Sequence, residues 1–379
     1  MPEVDNRAHV LVAWILVSAC RFTPGTETVG PSDAELDAFE PAPGSPAAPT
    51  DLAVTIGDHQ LGLAWIAPSD DGGNPITAYT ATAVPDDPAL ASATCSDAAT
   101  ACTLTGLANG TTYTIRVSAM NVVGMGAAST PPAVAMPIPT LLGDTRLQLW
   151  LDAMQADSLT AIGNQLTDWH DRSPNNRTAS QAAAGERPMV ESAVVTGRPA
   201  VTFDGIDDGM STNGFLTNNA TYTIFATAAN RDATLPIANH ASVAYATMTC
   251  GSTHNGFSMY TYTSFTGATN VRVPNVESGN SSSHTVRING DGTVAIPNGA
   301  TTTTPGVEVA QDAWMMATQQ VTINDVGGTN LFLGRYRDGC QFGHVSLGEL
   351  LVFDRVFQTA EVAAIEEYLA HKWGVTPAQ

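Results

Sequence analysis

The chain has 379 residues, of which 43% are hydrophobic and 13% charged, a length and composition that favour two or three packed domains. Fifteen basic residues stand against 36 acidic ones, the formal net charge is -21, and the only lysine is Lys372. This charge excludes nucleic acid as an expected partner and disfavours electrostatic docking on an anionic membrane.

The N-terminal sequence has the features of an export signal. Residues 10–20, VLVAWILVSAC, form an apolar run that is too short to span a bilayer and ends in small residues and Cys20. We predict a lipoprotein-type signal peptide over residues 1–20, because the last four residues resemble a bacterial lipobox. The resemblance implies acylation of Cys20 and a surface or outer-membrane lipoprotein that meets the membrane only through this anchor. A simply cleaved signal or a misplaced start codon stays open, since Glu3 and Asp5 precede the apolar run.

Residues 21–48 are rich in Pro, Gly, Ala, Ser, Thr and acids without an apolar period, which predicts a disordered linker. Within it, ELDAFE at residues 35–40 matches the E-x-D-x-x-E pattern of laminarinase-type jelly-roll glycosidases. In those enzymes the pattern lies on a strand that faces a sugar cleft, whereas the proline-rich flanks here exclude a central strand. We therefore assign it no catalytic role.

Residues 49–138 alternate apolar and polar positions in short runs separated by turns, which predicts a β-sandwich. The stretches LAWIAPSDDGGNPITAYTATA and CTLTGLANGTTYTIRVSAMNVVG resemble a fibronectin type III domain, with Trp65 in a core strand and a tyrosine corner at Tyr113. We expect this domain to act as a spacer. Cys95 and Cys102 fit a local disulfide, as an oxidising compartment favours.

Residues 139–379 suit one large all-β domain closed by a helix over residues 359–372, in which Thr359 can cap the first turn and Gly374 stops the last. LQLWLDA, LTDWHDRSPNN, GRPAVTFDGIDDGM, TIFA and GELLVFDRVFQTAEVAAIEEYLAHKWGV resemble the concanavalin A-like lectin/glucanase superfamily in its laminin-G-like form. The resemblance implies a jelly roll but leaves function open, because lectins, glycosidases and adhesion modules share it. Cys250 and Cys340 would join distant strands.

Catalysis by carboxylates would need two of them on one face of a cleft. Glu349 is the best single candidate, because it lies in the apolar strand LGELLVFD, where burial would raise its pKa. No second glutamate follows at strand spacing, so we favour a structural ion pair over a general acid. The candidate partners are four arginines, Arg198, Arg335, Arg337 and Arg355.

Calcium is a possible but not a required ligand, because oxygen donors are abundant. DRSPNN offers Asp171, Ser173 and Asn175 at alternate positions, and TFDGIDDGM offers Asp204, Asp207 and Asp208. Glycine, proline, aspartate and asparagine at such positions are also what tight turns require, and we favour turns over a metal site in both stretches. His170 is alone in a polar turn and is interpreted as a surface residue.

Glycan binding has its best local support in GFSMYTYT, where strand alternation places Tyr260 and Tyr262 on one face. Aromatic rings suit the apolar faces of sugars, and Arg335 and Tyr336 could add polar contacts. We predict an exported, non-catalytic protein that binds or adheres to an extracellular carbohydrate or surface protein through this domain. The alternatives are a glycan hydrolase or lyase and a structural envelope protein.

Overall fold

The computed structural model describes residues 44–212, 214–217, 219–231, 241–246, 256–265, 270–279, 281–289, 294–296, 301–303, 314–323, 330–336 and 341–375, which all belong to one structural unit. Cys20, the ELDAFE stretch, Cys250, Arg337 and Cys340 lie outside these residues. Across the described ranges, none of the helical segments reaches the length and hydropathy that a bilayer-spanning helix requires.

The N-terminal domain is a β-sandwich of two antiparallel sheets, ordered β1-β2-β5 and β4-β3-β6-β7, with β8 also paired to β6. Its core consists of the inward positions of these strands, among them Leu61, Leu63 and Trp65, which alternate with more exposed residues. The tyrosine corner is present, since the backbone amide of Ala108 donates to the hydroxyl of Tyr113 at 3.0 Å. The strands are β1 Thr50–Gly57, β2 Gln60–Ile66, β3 Ala78–Pro85, β4 Ala93–Asp97, β5 Ala101–Thr105, β6 Tyr113–Met120, β7 Met125–Ala128 and β8 Ala133–Ala135.

The predicted disulfide between Cys95 and Cys102 is present in this domain. Cys95 lies on β4 and Cys102 on β5, which are edge strands of different sheets. The bond therefore closes one side of the sandwich covalently.

The C-terminal domain is all-β apart from its final helix, and its strands form a curled 17-stranded sheet with a separate β25–β26 pair. Both faces of the central strands are buried, which explains their nearly continuous apolar sequences. The strands are β9 Leu147–Asp152, β10 Leu159–Ile162, β11 Gln165–Trp169, β12 Ala179–Ser180, β13 Met189–Val195, β14 Arg198–Asp204, β15 Met210–Thr212, β16 Ala220–Asn230, β17 Ala241–Ala246, β18 Gly256–Phe265, β19 Asn270–Gly279, β20 Ser281–Ile288, β21 Val294–Ile296, β22 Thr301–Thr303, β23 Trp314–Ile323, β24 Leu331–Leu333, β25 Arg335–Tyr336, β26 Gln341–Phe342 and β27 His344–Phe353. Short 3-10 turns cover Thr140–Gly143, Ala156–Ser158 and Ala184–Glu186.

Helix α1, Thr359–Trp373, packs on β16 and β23 through its apolar stripe. Gly348 on β27 permits this approach, because a Cβ there would lie 2.7 Å from the Trp373 ring. The helix ends, as predicted, at a left-handed Gly374 with φ 66°. The predicted cap at Thr359 is wrong: Gln358 is the N-cap, and its backbone amide donates to the Glu361 carboxylate at 2.8 Å.

The junction between the domains is tied by hydrogen bonds. The backbone amide of Ile138 donates to the carbonyl of Gly57 at 3.3 Å, and that of Gly110 donates to the carbonyl of Pro137 at 2.9 Å. The Asp58 carboxylate accepts from the Asn109 side-chain amide at 2.8 Å and from the backbone amide of Thr140 at 3.3 Å. The connecting segment is thus fixed to the N-terminal domain along its length.

The N-terminal domain also contacts helix α1 directly through the loop of the tyrosine corner. Gly110 has φ 81°, and a Cβ at this position would lie 2.1 Å from the backbone oxygen of Tyr368. Such an approach is open only to glycine. The N-terminal domain is therefore docked on the C-terminal helix.

The docking contact can be tested with two glycines of similar conformation. Gly106, with φ 72°, has open space where a Cβ would lie, so Gly106→Ala changes only the backbone energy, by about 1 kcal/mol. Gly110→Ala adds the clash with Tyr368 and should cost at least about 1 kcal/mol more. Calorimetric unfolding of both variants measures the difference. Equal losses would show that the contact with α1 contributes nothing to stability.

Acidification should loosen the junction through Asp58. Burial by itself raises the pKa of Asp58, but the hydrogen bonds from Asn109 and Thr140 outweigh it and hold the pKa below its ordinary value of 3.8. Stability from this depressed pKa is fully present above pH 3.8 and is lost as the pH falls through the folded-state pKa. In thermal melts over a pH series, Asp58→Asn should be less stable than the parent at neutral pH, and the gap should close below that value. A stability difference between the parent and Asp58→Asn that stays constant at acidic pH would contradict a depressed pKa of Asp58.

Candidate functional site

Glu349 lies on β27 at the interface between the sheet and helix α1, and its side chain is fully buried. It faces Asp152 on β9 in the antiparallel register of the two strands, so two carboxylates stand side by side. A β-bulge at Gly348 locally shifts the pairing of β27 with β16 next to this position. The pairing of β9 with β27 therefore places two buried carboxyl groups against helix α1.

The only lysine of the chain, Lys372, forms ion pairs with both acids. The Nζ of Lys372 on α1 lies 2.6 Å from Oδ2 of Asp152 and 2.8 Å from Oε2 of Glu349. The side-chain exposures of these three residues are 0% for Lys372, 1% for Asp152 and 0% for Glu349. The predicted structural ion pair at Glu349 thus has a lysine as its cation.

The polar atoms around this pair are bonded to one another. Oε1 of Glu349 accepts from Nε1 of Trp150 at 2.7 Å and from the Tyr368 hydroxyl at 3.0 Å, while Oε2 accepts from Nε1 of Trp373 at 2.8 Å. The ammonium of Lys372 also donates to the Tyr368 hydroxyl at 2.8 Å. We refer to these residues as the lysine cluster, which comprises Trp150, Asp152, Glu349, Tyr368, Lys372 and Trp373.

Burial dominates the electrostatics of the lysine cluster. Desolvation raises the pKa of Glu349, the Lys372 charge opposes this rise, and the neighbouring Asp152 adds to it. Desolvation also raises the pKa of Tyr368 well above its ordinary value, with further contributions from Glu349 and Asp152. One cation faces two carboxyl groups, so a single proton taken up by the cluster makes it neutral.

Two of the four arginines proposed as partners of Glu349 have other partners. Arg355 bridges Asp144 at 2.8 Å and Glu361 at 2.9 Å, and Nη2 of Arg198 donates to the carbonyl of His371 at 3.4 Å. Arg337 and the side chain of Arg335 are outside the described residues. The assignment of an arginine to Glu349 is therefore wrong for Arg198 and Arg355.

In TFDGIDDGM, the aspartates build a turn. Oδ1 of Asp204 accepts from the backbone amides of Ile206, Asp207 and Asp208 at 2.8, 3.3 and 3.4 Å, and Oδ2 of Asp208 accepts from the amide of Asp204 at 2.9 Å. Gly205 adopts φ 76° between them. Carboxylate oxygens of the three aspartates lie within 4.8 Å of one another, but the turn accounts for the acids as they stand.

In DRSPNN, the acid again organises a loop. The Asp171 carboxylate accepts from the backbone amides of Trp150, Ser173 and Arg177 at 2.8 Å each and from the Ser173 hydroxyl at 2.7 Å. The side-chain amide of Asn175 donates to the carbonyl of Leu147 at 2.7 Å, which ties the loop to β9. The ring nitrogens of His170 lie 2.9 and 3.3 Å from two threonine hydroxyls.

The residues of the predicted sugar platform belong to β18 and β25. Tyr260 and Tyr262 belong to β18, where they pair with Asn275 and Val273 of β19, and Arg335 and Tyr336 form β25. The side chains of the four predicted contact residues are outside the described part, so the platform stays a prediction.

A cleft of about 780 Å³ opens where the N-terminal domain meets helix α1. Its polar lining comes from both domains: Asp86 and Asp87 follow β3, Arg198 begins β14, and Glu367 and His371 lie on α1. The Nε of Arg198 is buried without a hydrogen-bond partner. The cleft thus combines acidic groups with a guanidinium and an imidazole.

Sequence reasoning did not identify Lys372 and Asp152 as neighbours of Glu349, and it did not identify the cleft, although Arg198 was named for another role. The isolation of Lys372 among 36 acids was visible, and its position in the apolar stripe of a helix could have suggested a buried cation. The cleft left no comparable pattern in the sequence, because its residues come from separate segments of the two domains.

Comparison with known proteins identifies the N-terminal domain. Residues 47–135 match the family model of the fibronectin type III domain. Similar solved structures include the FN5 domain of Drosophila Lar, with 22% identity, 24% of this chain and 96% of that chain covered and a TM-score of 0.21. Another is the fn3 domain of the human collagen alpha-1(XX) chain, with 22% identity, 26% and 91% covered and a TM-score of 0.22. No curated protein sequence matches this chain.

Removing the cation of the lysine cluster should destabilise the C-terminal domain. Lys372→Met leaves two buried carboxyl groups without their cation, and the free energy of unfolding should fall by about 3–5 kcal/mol. Urea denaturation followed by tryptophan fluorescence measures this, since Trp150 and Trp373 belong to the cluster.

Glu367→Gln is the matched control for this change, because it alters an exposed charge of the same helix and should shift stability by about 0.5 kcal/mol or less. Combining Lys372→Met with Asp152→Leu and Glu349→Leu should restore part of the loss, as all buried charges are then removed. A loss no larger in Lys372→Met than in the control would contradict the cluster's structural role.

Proposed function

We propose that this protein, whose residues 47–135 form a fibronectin type III domain, is an exported, non-catalytic binding or adhesion protein. In this proposal Cys20 carries a lipid anchor, and the C-terminal domain, a concanavalin A-like jelly roll, recognises an extracellular carbohydrate or a surface protein. The fibronectin type III domain by itself suggests a binding or structural role.

The observation that carries the proposal is the burial of Glu349. A general acid must come within about 2.6–3.2 Å of a substrate atom. Both oxygens of Glu349 are instead occupied by indole, hydroxyl and ammonium donors of the protein, and its side chain is 0% exposed. Glu349, the strongest catalytic candidate in the sequence, is thus a buried core residue that no external substrate contacts, which favours binding over hydrolysis.

The cleft beside helix α1 gives a binding function a suitable geometry. Its volume of about 780 Å³ lies within the range of about 300–1,000 Å³ usual for small-ligand sites. The carboxylates of Asp87 and Glu367 can accept from sugar hydroxyls, and the guanidinium of Arg198 can donate to them. These polar groups stand beside the apolar side chains of Met316, Ala363, Ala370 and Val375, a mixture that suits the hydroxyls and the apolar face of a sugar ring. The cleft thus adds a second candidate surface to the tyrosines of β18.

A structural envelope protein is the second candidate, and the domain junction favours it. Hydrogen bonds along the connecting segment and the Gly110 contact with α1 fix the two domains to each other, as a protein that transmits mechanical force requires. The same rigidity serves an adhesion protein, since a fixed pair of domains presents one defined surface.

A glycan array probed with the purified full chain tests the proposal. We expect binding to a subset of the array glycans without release of reducing ends. Tyr260→Ala combined with Tyr262→Ala should weaken this binding by about tenfold or more, which corresponds to about 1.4 kcal/mol, without a large change in melting temperature. If the cleft is the site, Asp87→Ala combined with Glu367→Ala should have this effect instead.

Asp157→Ala serves as the matched control, because it removes an exposed acid outside both surfaces and should leave binding unchanged. Release of reducing ends by the parent chain would overturn the proposal in favour of a hydrolase or lyase. Failure to bind any array glycan, and any component of an envelope extract in a pulldown, would favour the structural role.

A further inference from the structure

The lysine cluster places an amine and a carboxyl group at contact distance in the protein interior. Nζ of Lys372 and Oδ2 of Asp152 are separated by 2.6 Å, although the residues are 220 positions apart in the chain. The second carboxyl group, that of Glu349, lies 2.8 Å from the same nitrogen. An amine, an acid and an adjacent proton acceptor are the three groups that amide formation requires.

We propose that Lys372 and Asp152 condense into an intramolecular isopeptide bond, with Glu349 carrying the protons. The nitrogen of Lys372 becomes bonded to the side-chain carbonyl carbon of Asp152. One water molecule is released, and no oxidant, reductant or activated co-reactant is consumed.

Burial provides the driving force for this condensation. In water an ammonium and a carboxylate are strongly solvated, which favours the separate ions over the amide. Inside the protein that solvation is lost, and both ions are penalised by their burial. Transfer of one proton from Lys372 to Asp152 by way of Glu349 gives a neutral amine and a neutral acid, and their amide product carries no charge to bury.

The surrounding side chains hold the reacting groups in place. Asp152 is fixed on β9 by its register with Glu349 on β27, and Lys372 is fixed on α1 between Tyr368 and Trp373. Reacting groups held in such contact behave as if present at effective concentrations on the order of 10⁵ M or more. Fixed geometry therefore replaces the chemical activation that amide formation needs in solution.

The proton transfers can be followed atom by atom. Glu349 takes a proton from the ammonium through its Oε2, and the freed lone pair of Lys372 attacks the side-chain carbon of Asp152. Oδ1 of Asp152, which accepts from the backbone amide of Met154 at 3.0 Å, holds the developing negative charge. Glu349 passes this proton to Oδ2, takes a second proton from the nitrogen of Lys372 after the attack and passes it to Oδ2 as well. The C–Oδ2 bond then breaks, water leaves, the amide nitrogen keeps one hydrogen, and Glu349 returns to its initial protonation state.

The raised pKa of Glu349 agrees with this role, because a carboxyl group that binds a proton readily can both accept and return it. The hydroxyl of Tyr368 contacts both Nζ of Lys372 and Oε1 of Glu349, so it can orient the amine during attack. Glu349 is thus assigned a chemical role inside the core that is distinct from attack on an external substrate.

The bond would close the C-terminal domain covalently. It would join the first strand of the domain, β9, to its last helix, α1, so that the chain between residues 152 and 372 becomes one ring. A ring of this kind resists unfolding because the unfolded chain keeps less conformational freedom. This inference rests on the geometry of the cluster and does not depend on what the protein binds.

The single lysine makes the experiment simple. The purified full chain is reduced, denatured and analysed by intact mass spectrometry, and its ε-amine is labelled by reductive dimethylation under the same conditions. We expect a mass lower by one water molecule than the sequence predicts for the processed chain, no label on Lys372, and a branched peptide joining it to Asp152. The full calculated mass with a labelled Lys372 would overturn the proposal and leave an ion pair only.

Variants separate the chemistry from the fold. Glu349→Gln should abolish the water loss, and Lys372→Arg, which keeps the positive charge without a reactive amine, should show the full calculated mass. Asp152→Asn should still form the bond but release ammonia in place of water. The measurement on the parent chain decides the proposal even where a variant fails to fold, and water loss that persists at Asp152 in Lys372→Arg would also refute it.

Discussion

The buried contact between Lys372 and the carboxyl groups of Asp152 and Glu349 is the constraint on which the C-terminal domain depends. It joins the strand that opens the domain to the helix that closes it, and it lies where an unpaired charge would cost several kcal/mol. The helix can therefore neither slide along the sheet nor leave it without exposing an unpaired ion. Gly348 serves the same contact, because its missing side chain lets Trp373 approach Glu349.

The N-terminal domain depends on the same helix. Gly110 packs against the backbone of Tyr368, whose hydroxyl donates a hydrogen bond to Glu349. The docking surface and the lysine cluster therefore occupy the two sides of one helical turn. The cleft between Asp87 and Glu367 exists only because this docking is fixed. A displacement of the helix would thus alter the core, the domain junction and the cleft together.

The large acidic surplus is used in part to build loops. Asp171 and Asp204 accept several hydrogen bonds, mostly from backbone amides, and Asp58 accepts from the Asn109 side chain and from the amide and hydroxyl of Thr140. These bonds explain why aspartates lie in turns whose sequences could be mistaken for metal sites. Glu366 is likewise paired, with Arg287 at 3.0 Å and with the Thr318 hydroxyl at 2.7 Å. Within the described residues, acids of this kind stabilise the architecture of loops and of the packing between sheet and helix.

By itself the sequence determined the all-β class, the sandwich with Trp65 in its core and Tyr113 at its corner, and the closing helix, because strand and helix periods and turn residues are local properties of the chain. It also indicated that Glu349 is buried and paired. It did not identify Lys372 as the partner, place the N-cap at Gln358, or reveal the contact of Gly110 with α1. Those features were decided by the tertiary structure, because they depend on which distant segments of the chain pack together. Charge complementarity alone left four arginines as equally good partners for Glu349.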